Sequence, residues 1–64
     1  MRIHLRQLRE SRFLTQRELA AKASVGVSTI VRVERGQQRP TFKTIKRLAS
    51  ALGVEPSELV EREE

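Results

Sequence analysis

TQRELAAKASVGVSTIVRVERG, residues 15–36, holds two short helical patterns separated by a link of about three residues. Thr15 is a helix N-cap, and Glu18 three positions later completes the capping box T-Q-R-E, in which side chain and backbone satisfy each other's free N–H groups. The helix that follows spans about 16–23 and turns Leu19, Ala20 and Ala23 to one side. After Ser24-Val25-Gly26 the apolar spacing resumes over about 27–35, with Ile30 and Val33 inward and Gly36 as the stop. So short a link forces the two helices to cross steeply and at close range. Ala20 supplies the small side chain such a crossing needs, and Leu19, Ala23, Val25, Ile30 and Val33 fill the wedge.

Outward from this unit the same period continues, and no stretch alternates with period two. Upstream, a helix over about 2–12 carries Met1, Leu5, Leu8 and the stem of Arg12 on one face. Downstream, Gln37 to Pro40 form a polar loop and Thr41 caps a helix over about 42–52. In that helix Phe42, Ile45, Leu48, Ala49 and Leu52 make an i, i+3, i+4 stripe ended by Gly53. Pro56 suits the first turn of a fifth helix, about 56–62, with Leu59 and Val60. The expectation is an all-α, compact five-helix domain over residues 1–64, with a helix-turn-helix at helices two and three.

A chain of 64 residues buries only about 60% of the surface its unfolded form exposes, so its stability is marginal. It has no cysteine to reinforce the core by disulfide or thiolate–metal bonds. His4 is the single histidine and there is no aspartate, so no metal site, nucleophile–base pair or other catalytic cluster is expected, and no cofactor. No apolar run reaches the ~18 residues of a membrane span, and the first residues lack a signal-peptide pattern. A soluble, cytoplasmic protein is expected. Charge is uneven: residues 1–54 hold twelve basic and three acidic residues, whereas 55–64 hold five Glu and only Arg62. A basic body suits a polyanionic partner.

L-R-Q-L-R at 5–9, L-T-Q-x-E-L-A at 14–20, S-T-I-x-R-V-E-R-G at 28–36, R-P-T at 39–41 and L-A-S-A-L-G-V-E-P-S-E-L at 48–59 together resemble the Cro/CI-type (XRE-like) helix-turn-helix transcriptional regulators. The resemblance covers nearly the whole chain and implies a lambda-repressor-like DNA-binding domain whose third helix enters the major groove. Where that family usually carries glycine, before L-T-Q and in the turn of the motif, this chain has Phe13 and Ser24. A left-handed backbone at either costs about 1 kcal/mol. Gly26 stands where the family prefers a Ser cap on the third helix, which weakens that cap by a few tenths of a kcal/mol.

The side chains of helix three that the core does not need are Val27, Ser28, Val31 and Arg32. The resemblance implies base contacts by Val27, Ser28 and Arg32: Arg32 can fork onto guanine O6 and N7, and Val27 can pack on a thymine methyl. Val27 and Val31 have the alternative use of covering the turn. Thr15 and Gln16 open helix two, where free amides and the helix dipole attract phosphate. Arg35, Gln37, Gln38, Arg39, Thr41 and Lys43 cluster around the loop after helix three and are the further phosphate candidates. The resemblance also implies a structural pair between Arg9 and Glu34. The expected function is sequence-specific binding of double-stranded DNA by a transcriptional regulator, a repressor, acting as a homodimer on a palindromic operator. Leu59, Val60 and Ile3 are the apolar candidates for the dimer surface, and no small-molecule effector is expected within this domain. An antitoxin or a controller of a restriction system would share the pattern. The competing reading is a helical protein-interaction module, antitoxin-like or coactivator-like, that does not itself read DNA.

Overall fold

The computed structural model describes residues 2–61. In chain order it has β1 (Arg2–Ile3), α1 (Leu5–Ser11), α2 (Gln16–Ala23), α3 (Val27–Glu34), α4 (Phe42–Leu52), α5 (Pro56–Leu59) and β2 (Val60–Glu61). Each helix drives one aliphatic side chain to complete burial: Leu5, Leu19, Ile30, Leu48 and Leu59. Complete burial of such a side chain stabilises by about 1.5–3 kcal/mol, so these five residues dominate the packing. Ala20, Ala23, Val33, Ile45, Ala49 and Leu52 complete the core. Among the described residues, Ile3, Leu8, Leu14, Val25, Ala51, Val54 and Val60 are partly buried and packed against it. Ala20 and Ala23 keep the facing surface of α2 low enough for α3 to cross it closely.

Four helix ends share one device. At each, a residue in the left-handed region bonds back one turn and the next residue's N–H reaches five residues back, the Schellman arrangement. Gly36 (φ 73°) donates to Val33 and Gln37 to Arg32; Gly53 (φ 71°) donates to Ser50 and Val54 to Ala49. Ser24 (φ 57°) donates to Ala21 and Val25 to Ala20; Phe13 (φ 55°) donates to Glu10 and Leu14 to Arg9. Leu14, Val25 and Val54 thereby land on the core. The two positions that depart from family glycine therefore both adopt the left-handed backbone.

The sequence expectation holds for five helices and fails at both ends. Helix one begins at Leu5, not near residue 2, and helix five stops at Leu59, not near 62. Arg2–Ile3 and Val60–Glu61 instead pair as an antiparallel ribbon, Arg2 opposite Glu61 and Ile3 opposite Val60. His4 N–H extends the pairing to the Leu59 carbonyl at 2.8 Å. The cause is a tertiary one: β-branched Ile3 and Val60 fit a pleated surface better than a frayed helix end, provided the two ends meet. Phe42 leaves the expected stripe: it is 73% exposed because α4's first turn projects past the core, and Lys46 sits over its ring at 5.8 Å. Arg12 follows α1 rather than packing its face, and its Nε donates to the Leu52 carbonyl at 3.1 Å, at the negative end of α4. Met1 and Arg62 lie outside the described residues.

Candidate nucleic-acid interface

The position of α3 is set by Glu34. Arg9 Nε donates to Glu34 Oε2 at 2.7 Å and Arg9 Nη2 to Glu34 Oε1 at 3.1 Å, a two-pronged contact between side chains only 12% and 5% exposed. Arg9 Nη1 also donates to the Leu14 carbonyl at 2.8 Å, and Gln16 Nε2 donates to Glu34 Oε1 at 3.1 Å. One carboxylate thus joins α1, the start of α2 and the end of α3. The Arg9 pKa is raised, chiefly by its hydrogen bond to Glu34, against the opposing effect of burial. A guanidinium fork and a carboxylate match in shape as well as in charge, which makes this the firmest polar contact of the fold.

With its inner side held by Ile30, Val33 and Glu34, α3 turns the remaining residues outward. Val27 is 41% exposed, Ser28 and Arg32 are exposed, and Val31 is half-buried. Among the described residues Arg32 has no ion-pair partner. Gly26 caps α3 with no side-chain hydrogen bond. The α3 reading candidates therefore share one face, and none of them serves the core.

Thr15 and Gln16 sit at the positive end of α2, where the capping box is closed. The Thr15 hydroxyl accepts from Glu18 N–H at 3.0 Å, and Thr15 N–H donates to Glu18 Oε1 at 2.9 Å. The Thr15 backbone N–H and, after it, the Thr15 hydroxyl hold the Glu18 carboxyl below its ordinary value. The Thr15 backbone N–H and hydroxyl are thus both engaged with Glu18, which leaves no free hydrogen on Thr15 for an incoming phosphate. Gln16 keeps the second hydrogen of its amide nitrogen, since the first is committed to Glu34. The exposed residues Arg35, Gln37, Gln38 and Arg39 occupy the loop after α3. Gln38 and Arg39 line a cleft whose floor includes Ile3, Val33 and Glu34. Thr41 caps α4: its hydroxyl accepts from Thr44 N–H at 3.2 Å and donates to Thr44 Oγ1 at 3.0 Å, so it has no free hydrogen. Lys43, two residues on, is exposed.

Leu59 is fully buried in its own chain and is unavailable to a second copy, a correction to the expected dimer surface. Ile3 and Val60 lie opposite one another in the ribbon and remain partly exposed. Among the described residues no group of three or more His, Cys, Asp and Glu could hold a metal ion. No described helix is long and apolar enough to cross a membrane. Sequence reasoning missed Arg12, whose role depends on a carbonyl forty residues away. It also missed the ribbon, whose two-residue strands carry no readable period.

Residues 5–59 match the helix-turn-helix family HTH_3. The chain is 41% identical over 56 residues to the cryptic phage CTXphi transcriptional repressor RstR of Vibrio cholerae, covering 88% of this chain and 50% of that protein. It is 36% identical over 59 residues to the immunity repressor protein of Bacillus phage phi105, covering 92% and 41%. The chain thus spans half or less of the length of these two relatives. Among solved structures it is similar to the restriction-modification controller protein C.AhdI from Aeromonas hydrophila, with a TM-score of 0.86 and 40% identity over 89% of this chain and 86% of that one.

Proposed function

The chain belongs to the helix-turn-helix family, and from that membership we propose that it is a sequence-specific regulator of transcription, a repressor, that binds double-stranded DNA with α3 in the major groove. One observation carries this reading: the outer face of α3 holds Val27, Ser28 and Arg32 with no task in the fold, while its inner face is locked to α1 and α2 through Glu34. A rigid helix with an idle, donor-bearing face suits base readout, because the contacts cost little further ordering. Phosphate contacts come from Gln16, Arg35, Gln37, Gln38, Arg39 and Lys43, and Thr15 takes part only if its hydroxyl turns away from Glu18. Thr41 takes part only if its hydroxyl turns away from Thr44. The names of the relatives, two phage repressors and a restriction-modification controller, support regulation of transcription. A single domain of this size covers one half-site, so a symmetric homodimer on a palindromic operator follows, in the cytoplasm and without catalysis.

Selection of bound duplexes from a random DNA library, followed by a salt titration of the winners, tests the reading. Each phosphate neutralised contributes about −0.9 to the log–log slope, so Arg35, Arg39 and Lys43 together give about −3 per protomer. A flat salt response with no enriched sequence would sink it in favour of the protein-interaction module.

A further inference from the structure

Phe13 is the residue for which the fold has least use. Its backbone stands in the left-handed region (φ 55°), where a Cβ is strained, and its ring is 93% exposed. The chain's other aromatic residue, Phe42, is exposed too, but Lys46 sits over its ring. Phe13 thus carries both backbone strain and an apolar surface in water, and its ring gives the monomer no packing in return. Strain of this kind persists where the surroundings over-determine it, and it clusters at functional positions. Both neighbours of Phe13 are fixed. Arg12 Nε donates to the Leu52 carbonyl, while Leu14 N–H donates to the Arg9 carbonyl and the Leu14 carbonyl accepts from Arg9 Nη1. The ring therefore stands on a rigid mount, and a contact to it needs little further ordering.

The surroundings narrow what the ring fits. Among the described residues the exposed large apolar side chains are Phe13, before α2, Val27 on α3 and Phe42 on α4. Phe13 therefore stands alone, without the contiguous apolar patch that the centre of a protein interface needs. The exposed residues near it in the chain include Arg12 and Arg17, and neither has an ion-pair partner among the described residues. The nearby carboxylates are occupied: Glu10 faces Arg6 at 3.7 Å, and Glu18 is turned onto the Thr15 cap. A lone ring between unpaired cations fits a polyanion that also offers apolar faces. The deoxyribose rings between the phosphates of a DNA strand are such faces. Phe13 precedes Gln16 by three residues, at most about 10 Å of chain, which corresponds to about three nucleotides of rise along one strand.

We propose that Phe13 lays its ring on the sugars of the strand whose phosphate Gln16 holds, outside the base pairs that α3 reads. The proposal rests on the DNA-binding reading above and deepens it by adding an apolar grip on the backbone that carries no sequence information. An apolar contact releases no counterions, so it raises affinity and leaves the salt slope alone. Covering one face of the ring gives about half the gain of full burial, about three- to tenfold in affinity per half-site.

The probe is the set of duplexes that the wild-type chain enriches from a random library. Hydroxyl radicals cut DNA by attacking deoxyribose, so their footprint reads sugar burial nucleotide by nucleotide. Phe13→Ala is expected to bind these duplexes about three- to tenfold more weakly per half-site. It should lose protection at a few adjacent sugars of each half-site, with sequence preference and salt slope kept. Phe13→Gly should show the same losses while melting at a higher temperature, a combination that damage to the fold does not produce. Equal affinity of wild type and Phe13→Ala would overturn the proposal and leave the DNA-binding reading intact. Weaker binding with an unchanged sugar footprint would do the same. A smaller sedimentation coefficient of free Phe13→Ala would assign the ring to a second copy of the chain and also overturn it. Failure to enrich any duplex would overturn both readings together.

Discussion

Replacing Phe13 and Ser24 by glycine should make this protein more stable. All four Schellman ends require a left-handed residue, and only two of them have glycine. An L-residue in that region costs about 1–2 kcal/mol through the clash of Cβ with the following carbonyl. Glycine removes that cost but returns about 0.5–1 kcal/mol through the greater freedom of the unfolded chain. Nothing else offsets the exchange. The Phe13 side chain is 93% exposed, the Ser24 side chain is exposed, and the bonds these positions make run through their backbones, the Ser24 carbonyl accepting from Arg47 Nη1 as well. Each substitution is worth about 0.5–1 kcal/mol, and the pair about 1.5 kcal/mol. For a domain of this size that raises Tm by roughly 6–12 °C, measured by thermal unfolding at 222 nm. Phe13→Ala separates backbone from side chain, because it removes the ring and keeps the left-handed Cβ; it should leave Tm near wild type. The converse, Gly53→Ala, has open space around the new Cβ yet should cost about 1 kcal/mol from backbone strain alone. A double glycine variant no more stable than wild type, or a Phe13→Ala variant matching Phe13→Gly, would refute the reasoning.

Four further outcomes are expected. Arg9→Ala leaves a 5%-exposed carboxylate with only Gln16 as side-chain partner among the described residues and should cost about 3 kcal/mol. That is a large share of the roughly 3–10 kcal/mol total available to 64 residues, visible as loss of cooperative melting. Arg32→Ala should relax discrimination at one or two base pairs by about 1–3 kcal/mol in competition binding, whereas uniform weakening across all sequences would reassign Arg32 to phosphate. Glu18 has a folded pKa below its unfolded one, so the unfolded chain binds more protons in that window. Its contribution is present above about pH 4.3 and lost as pH falls through the lowered folded value, and Glu18→Gln should remove that part of the acid dependence of melting. Gly26→Ser places its Cβ at ordinary contact distance from Ser28 Oγ (3.7 Å) and Thr29 Oγ1 (3.9 Å). It should add a few tenths of a kcal/mol by capping α3, read as a small rise in the urea midpoint.

What was legible in the sequence was local. The T-Q-R-E box, the glycine stops at Gly36 and Gly53 and the helical spacing of Leu19 with Ala23, Ile30 with Val33 and Leu48 with Ile45 and Leu52 each report on neighbours within about one turn, and the helices they mark stand where expected. Contacts between distant residues were not legible. The ribbon joins Ile3 to Val60, and Arg12 reaches Leu52, through pairings that only the assembled core brings together. Phe42 keeps the right angle on its helix, but periodicity carries no information on where the core ends along the axis. Leu59 illustrates the same limit in reverse: an apolar residue near a chain end reads equally as a partner surface or as core, and its burial decides for core.

The candidate site shows how this division bears on function. Threonines at helix starts read as phosphate ligands, yet the same position makes them caps, and a cap commits its hydroxyl. Thr15 and Thr41 both have their hydroxyls engaged at the caps, so in the proposed DNA-binding reading anchoring passes to Gln16's remaining amide hydrogen and to the charges of Arg35, Arg39 and Lys43. Long cations hold phosphate through charge more than through fixed geometry, and charge is what salt screens. Binding should therefore weaken steeply with salt through those three cations, while Thr41→Val, which keeps the bulk and loses the hydroxyl, should lower stability through the α4 cap and leave the salt slope unchanged. A shallower slope in Thr41→Val would return that threonine to the phosphate set and show that the cap yields to DNA.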